Sequence, residues 1–452
     1  MFSSSLYKSS PIPLQDALLS GRGWLRRRLR EGRQFSALLD EALATQWLSP
    51  TALAEYQASA LRRVLDHASD TVPFYRRRRD SSARHEHPAQ WLAGLPLLTK
   101  AEVRAAGDDI RSSSHRWPMF KGSTSGTTGT PLVLLQDLHA ITRENVFLAR
   151  QLHWAGWTPG CKRAWIRGDM VTPVEQREPP YWRTNHAESM LMLSSYHLSE
   201  SSAAAYVDAL AAFAPAVIQA YPSSIGFIAN WLDSHGRDYA GPPLRGIVTS
   251  SEAMSDEQIA CIERRFGCRV FDWYGQFERV AAVGTCEHGG RHVISDYSYV
   301  ELVPTDDGCL EIVGTGFNNL AMPLIRYRTG DQVELPEAGA APCPCGRAFP
   351  LVKRVVGTRN DDTLELPGKR VVGRVGYIFH DIERILESQI RQSSDGAIRI
   401  LVVTAGEFPP EQRNALLRQA RERLGRDVPI SVERVNEIPR GRNGKRMFIV
   451  RE

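Results

Sequence analysis

The chain has 452 residues, 42% hydrophobic and 24% charged, with a formal charge of +5 at pH 7. This is a globular composition, long enough for two or three domains, and so mild a charge gives no argument for nucleic acid or a membrane as partner. Apolar runs such as Ala216-Val217-Ile218 are far short of the roughly 20 residues of a bilayer span, Met1 to Ser5 lack the pattern of a secretion signal, and seven cysteines, an odd number, leave a cytoplasmic enzyme without disulfides as the expectation.

Residues 14–80 read as helices. Arg22 to Arg30 is basic with apolar residues at helical spacing. It is read as a solvated face with Trp24, Leu25 and Leu29 packed inward, the alternative being a membrane-surface helix. Leu53 to His67 forms a second amphipathic helix, and Pro73 stops helical continuation soon after.

From about residue 117, short β-rich runs alternate with helical ones. Strands are expected at 131–135, 216–220, 246–249 and 269–274, with helices near 140–154, 225–234 and 256–266. Such alternation implies a mostly parallel sheet with helices on its faces. Consecutive strands follow at 299–303, 310–313 and 332–335. Beyond residue 360 a compact α+β tail is expected, with a helix at about Gly376–Leu386, a strand at 398–403, a helix at 410–424 and a strand at 430–435.

Five motifs carry chemistry. Gly122-Ser123-Thr124-Ser125-Gly126-Thr127-Thr128-Gly129-Thr130-Pro131 is rich in donors and glycine, so backbone N–H groups and hydroxyls can wrap phosphate oxygens. It is neither a Walker A loop nor a dinucleotide fingerprint; the bland alternative is a Ser/Gly linker. Tyr274-Gly275-Gln276-Phe277-Glu278 follows a predicted strand, where open α/β sheets bind ligands; the bland alternative is a capped helix start. Arg326-Tyr327-Arg328-Thr329-Gly330-Asp331 offers an Asp on a tight turn, able to accept two ribose hydroxyls, or else a plain hairpin turn. Gly357 to Asp362 reads as a junction, or as a polar linker. Arg440-Gly441-Arg442-Asn443-Gly444-Lys445-Arg446 puts a lysine on a Gly-flanked loop, or is a basic tail.

In this order along the chain, the motifs resemble the adenylate-forming superfamily, and within it the phenylacetate–CoA ligase branch with its CapK-like, coenzyme F390 synthetase-like members. Val72-Pro73-Phe74-Tyr75, Leu95 to Lys100, Tyr221-Pro222-Ser223-Ser224 and Asp361 to Gly368 add to the resemblance, which spans about residues 45–450. It implies an α/β fold: a large N-terminal domain (residues 1–355, helical over about 1–116) with mixed, mostly parallel sheets and flanking helices. A hinge at 356–362 and a small mobile α+β domain at 363–452 would follow.

The activity implied is ATP-dependent formation of an acyl-adenylate from a small carboxylic acid, with pyrophosphate released, then transfer to coenzyme A. Ser123, Thr124, Ser125, Gly126, Thr127 and Thr128 would cradle phosphates. Ser251 and Glu252 would border adenine, with Tyr274, Gly275 and Gln276 at its face. Glu278 would hold Mg2+, and Asp331 the ribose, helped by Arg359. Asp361 would sit at the hinge, and Lys445 would approach the α-phosphate. Two departures stand out: Leu132 follows Pro131 where the superfamily usually has Lys, and Thr358 separates Gly357 from Arg359. The resemblance also implies a homodimer. Residues near Trp165, Tyr221 to Ile225, Trp273 and Phe277 would form the acid pocket, their aromatic character favouring an aryl acid. A competing reading passes the acyl group to an amine or sugar; another is a nucleotide-binding module without catalysis.

Cys286-Glu287-His288-Gly289-Gly290-Arg291-His292 and Cys343-Pro344-Cys345 hold five metal-ligating side chains. Cys286, His292, Cys343 and Cys345 are read as a structural zinc site, with His288 as the competing histidine and buried reduced thiols as the bland alternative. Cys161, Cys261, Cys268 and Cys309 are isolated and read as core or inert surface thiols.

Overall fold

A computed structural model describes residues 5–78, 87–114, 118–123, 132–173, 175–305, 308–356, 363–366, 370–373, 375–379, 382, 384–425, 428–441 and 446–452. The protein is mixed α/β, and its chain forms two compact units: residues 1–24, 155–270 and 357–452, and residues 25–154 and 271–356.

In the first unit, strands Gly246–Ser250, Val217–Ala220, Arg163–Arg167 and Met190–Ser194 lie side by side and parallel, and Trp182–Asn185 closes the edge antiparallel. The parallel strands need crossovers, which the helices Ala203–Phe213 and Pro222–Ser234 supply. Strand residues Ile166, Ile218 and Ile247 pack with Tyr206, Phe227 and Trp231 of these helices in one apolar core. Helix Asp256–Phe266 starts where expected because Ser255 and Gln258 form a capping box, and it stops at Gly267, whose φ is +65°.

The same unit holds a separate C-terminal sheet in the order Ile430–Arg434, Ile398–Thr404, Ile385–Gln392, Ile449–Arg451, with helix Pro410–Leu424 alongside. Its own core includes Ile390, Ile400, Leu416 and Leu424. Here the sequence expectation fails once. Instead of a helix over Gly376–Leu386, there is a 3-10 turn, Val375–Phe379, followed by strand Ile385–Gln392. Arg384 takes φ +68°, which a right-handed helix cannot contain, and residues from Ile385 onward pair antiparallel with Ile398–Thr404.

The second unit combines helices Phe35–Thr45, Pro50–Thr71 and Leu138–Trp154 with antiparallel strands. One set runs Val270–Gly275, Ala282–Thr285, Arg291–Val293, Leu351–Val352. Another runs Ser298–Pro304, Leu310–Gly316, Tyr327–Glu334, Arg354–Val356. A hairpin pairs Met119–Ser123 with Val133–Asp137.

The basic N-terminal helix, Ile12–Arg30, corrects a second expectation. Trp24, Leu25 and Leu29 are 51%, 54% and 48% exposed rather than packed inward. The helix buries its other face, Gln15, Leu19 and Gly23. A Cβ at Gly23 would lie 2.4 Å from the Asn185 side chain, so this close approach needs glycine. Among the described residues, no helix is long and apolar enough to cross a membrane.

Within the second unit, Arg150 and Asp296 form an ion pair at 2.6 and 2.9 Å, each side chain only 1% exposed. Removing one partner leaves the other charge buried and uncompensated. Asp296→Ala is therefore expected to destabilise the protein by about 3–5 kcal/mol, read as a lower midpoint in chemical denaturation; an unchanged midpoint would contradict the assignment.

Candidate functional site

In the second unit, strand Val270–Gly275 ends in the run Tyr274-Gly275-Gln276-Phe277-Glu278. This run is not a helix start. It turns the chain back into the antiparallel strand Ala282–Thr285, with Arg279 at φ +56° and its N–H bonded to the Gln276 carbonyl. The Tyr274 hydroxyl donates to Asp331 Oδ2 at 2.7 Å and accepts from Gln276 Nε2 at 2.5 Å. Burial, reinforced by the Asp331 charge, pushes the Tyr274 phenol well above its ordinary value, so it stays a donor. Tyr327 donates to Glu278 Oε1 at 3.1 Å, and burial with the Glu278 charge raises that phenol too. A carboxylate accepts at about four positions, so one tyrosine orients Glu278 without exhausting it.

Asp331 was expected on a tight turn, and instead it follows a bulge inside strand Tyr327–Glu334. The pairing with Leu310–Gly316 shifts register between Glu311 and Val313, and Gly330 takes φ +78°. Glu311 accepts from the Gly330 N–H at 3.0 Å and from Arg328 at 2.6 Å, holding the bulge in place. Upstream, Leu98 brackets Tyr327 through bonds to Arg326 and Arg328, at 2.8 and 2.9 Å. Two motifs distant in sequence thus fix one strand.

The Ser/Thr/Gly motif begins at the tip of the Met119–Asp137 hairpin. Ser123 pairs with Val133, while Thr124 to Pro131 lie outside the described residues. A Cβ at Gly122 would lie 2.3 Å from Cζ of Phe277, so the hairpin base rests on the ring between Gln276 and Glu278. Gln136 Nε2 donates to the Phe277 carbonyl at 3.2 Å.

The first unit carries a second group, beyond the end of strand Gly246–Ser250. Ser251 has φ +77° and accepts from Arg167 at 2.8 Å. The Arg167 guanidinium lies over Tyr221 at 4.6 Å and Trp165 at 5.1 Å, and burial lowers its pKa. Glu252 accepts from the Ser223 N–H at 2.8 Å, the Ser223 hydroxyl at 3.1 Å and the Arg446 N–H at 3.2 Å. Arg440 pairs with buried Glu387 at 2.7 Å and bridges antiparallel to Arg446. Burial raises the Glu387 carboxyl, and Arg440 opposes that. The base of the lysine loop is therefore tied to Glu252. Lys445 itself, Arg359 and Asp361 lie outside the described residues.

Arg167, Glu387 and Arg440 had no role in the sequence reading. Arg440 sat inside a motif already singled out, but nothing local marks Arg167 or Glu387, whose partners are distant in sequence.

Near Cys286 the second unit gathers four side chains: Cys286, His292, Cys343 and Cys345 place their ligand atoms within 4.8 Å of one another. His288 is exposed and outside this group.

The profile of the CapK C-terminal domain matches residues 366–452. Protein CapK of Staphylococcus aureus is 24% identical over 454 residues, covering 98% of this chain and 98% of that protein. A phenylacetate-coenzyme A ligase of Pseudomonas putida is 27% identical over 353 residues, covering 74% of this chain and 76% of the ligase. Among solved structures, 2-hydroxyisobutyryl-CoA ligase in its postadenylation state superposes with a TM-score of 0.62 at 18% identity, over 88% of this chain and 89% of that one.

Anchoring of the lysine loop can be tested without any assumed activity. Glu252→Ala removes the acceptor of the Arg446 N–H and should speed amide exchange at Arg446 and Met447, leaving strand Ile398–Thr404 protected. Unchanged exchange at Arg446 would contradict the tie.

Proposed function

Since this chain belongs to the adenylate-forming superfamily, in its phenylacetate–CoA ligase and CapK-like branch, we propose that it activates a carboxylic acid with ATP and passes the acyl group to coenzyme A. In the first step a carboxylate oxygen attacks the α-phosphorus. The bond to the bridging oxygen breaks, and pyrophosphate leaves with the electron pair. In the second step the coenzyme A sulfur attacks the acyl carbon and AMP departs, with the thiol proton released.

The observation that carries this reading is the pair of tyrosine-held carboxylates, Asp331 on Tyr274 and Glu278 on Tyr327, beside the base of the Ser/Thr/Gly hairpin. Asp331 is an acceptor able to take ribose hydroxyls. Glu278 is a hard oxygen ligand suited to Mg2+, and the ion would supply charge neutralisation at the phosphates. By the resemblance, Tyr274, Gly275 and Gln276 would lie at the face of the adenine. By the same resemblance, Ser123 to Thr128 would cradle the phosphates, Arg359 would assist the ribose, and Ser251 and Glu252 would border the adenine. Attack at phosphorus gathers negative charge on the equatorial oxygens, which Lys445 offsets. The Trp165 and Tyr221 rings around Arg167 favour an aryl acid. The resemblance further carries the expectation of a cytoplasmic homodimer.

A second reading keeps the adenylate and changes the acceptor to an amine or a sugar.

The test is pyrophosphate release by the purified protein with ATP, Mg2+ and a panel of aryl, aliphatic and amino acids. A signal dependent on one acid is expected, reduced about 100- to 1,000-fold in Lys445→Ala. Coenzyme A should then accelerate AMP release; an adenylate that forms but ignores coenzyme A supports the second reading. No pyrophosphate with any acid, while ATP still binds, would overturn both.

A further inference from the structure

We propose that Cys286, His292, Cys343 and Cys345 bind one zinc ion that braces the second unit, a metal site distinct from the adenylation chemistry. The Cys286 and Cys343 sulfurs lie 3.5 Å apart, and Cys345 Sγ lies 3.3 Å from His292 Nε2. A tetrahedral zinc with Zn–S near 2.3 Å separates its sulfurs by about 3.7 Å, so the cluster is close to that size. The same 3.5 Å is far beyond a disulfide, and all seven cysteines are free.

The surroundings fit a ligand set rather than chance packing. His292 is fully buried, and its Nδ1 lies 3.0 Å from the Phe349 carbonyl. Donation there leaves Nε2 as the lone-pair nitrogen facing the sulfurs, the tautomer a metal requires. The Arg347 N–H points at Cys345 Sγ at 3.5 Å, a bond that favours thiolate. Both ligand-bearing turns depend on glycine: Gly289 and Gly346 have φ +84° and +78°. A Cβ on Gly290 would lie 2.7 Å from Cys343 Sγ and 3.1 Å from His292 Nε2. The two turns are 57 residues apart in sequence, and joining them removes the entropy of a long loop. Three thiolates and an imidazole complete a soft tetrahedral set with no open position, which marks structure rather than catalysis.

The ion would also fix the chain just beyond Cys345. Arg347 is buried, lies over Trp47 at 4.5 Å and Trp154 at 4.3 Å, and bonds Gln46 at 3.2 Å. Its guanidinium pairs with Glu287, next to Cys286, at 2.8 and 2.9 Å. The site thus locks the loop whose arginine ties the strand-rich part to the helices of its own unit.

The experiment measures metal on the purified full chain by elemental analysis, with no activity readout. About one zinc per chain is expected, surviving gel filtration and lost in Cys343→Ser. The cobalt-exchanged protein should show thiolate-to-metal charge-transfer bands, and chelation should lower the thermal midpoint. Because Cys343→Ser can misfold, alkylation of the wild-type chain supplies a second reading. Zinc should protect Cys286, Cys343 and Cys345 while Cys161 and Cys309 stay reactive. Metal-free protein whose three thiols alkylate equally with and without added zinc would overturn the proposal. Zinc-loaded protein that remains silent with every acid would leave the site standing and weigh only on the ligase reading.

Discussion

A guanidinium buried to 1% exposure cannot stand alone, and much of the second unit is arranged around satisfying Arg150. Arg150 donates to both oxygens of Asp296 and to the Ala42 carbonyl, while Phe147, Trp154 and Phe349 surround its plane. Asp296 also accepts from Thr45 at 2.6 Å. One ion pair therefore fastens the end of helix Phe35–Thr45, the middle of Leu138–Trp154 and the segment entering strand Ser298–Pro304. Tyr297, the next residue, donates to Glu144 at 2.6 Å and continues the same seam.

The candidate site repeats the device at lower stakes. Asp331 and Glu278 are each oriented by a phenol whose raised pKa keeps it a donor. A tyrosine positions a carboxylate without neutralising its charge, as an arginine would. Arginines are used where the carboxylate is structural: Arg328 on Glu311, Arg326 on Glu301, Arg440 on Glu387. The choice of partner separates carboxylates held by a neutral donor from those paired with a charge.

Much of this was legible in the sequence because the signals were local. Helix Pro410–Leu424 follows from a proline at its first position and Gly425 after its end. The Ser255–Gln258 box sets the start of the next helix upstream. Strand–helix alternation pointed to the parallel sheet. Legibility fails where a distant partner decides. The stretch ending at Leu386 has helical composition, yet Arg384 at φ +68° and pairing with Ile398–Thr404 make it a strand. Trp24 is exposed because the face that packs is the one carrying Gln15, Leu19 and Gly23, with Gly23 pressed against Asn185. Arg167, Arg440 and Arg347 look like surface charges until their partners, dozens to hundreds of residues away, are in view.

Both motifs that the resemblance assigns to phosphate chemistry share one construction. The Ser/Thr/Gly run leaves a hairpin whose base, Ser123 opposite Val133, is paired and wedged on Phe277 through Gly122. The lysine run is flanked by an isolated bridge between Arg440 and Arg446, held by Glu387 at Arg440 and by Glu252 at Arg446. In both motifs the intervening sequence is written in glycine and polar residues, a composition suited to phosphate oxygens, while the packing that anchors each motif lies in the residues flanking it.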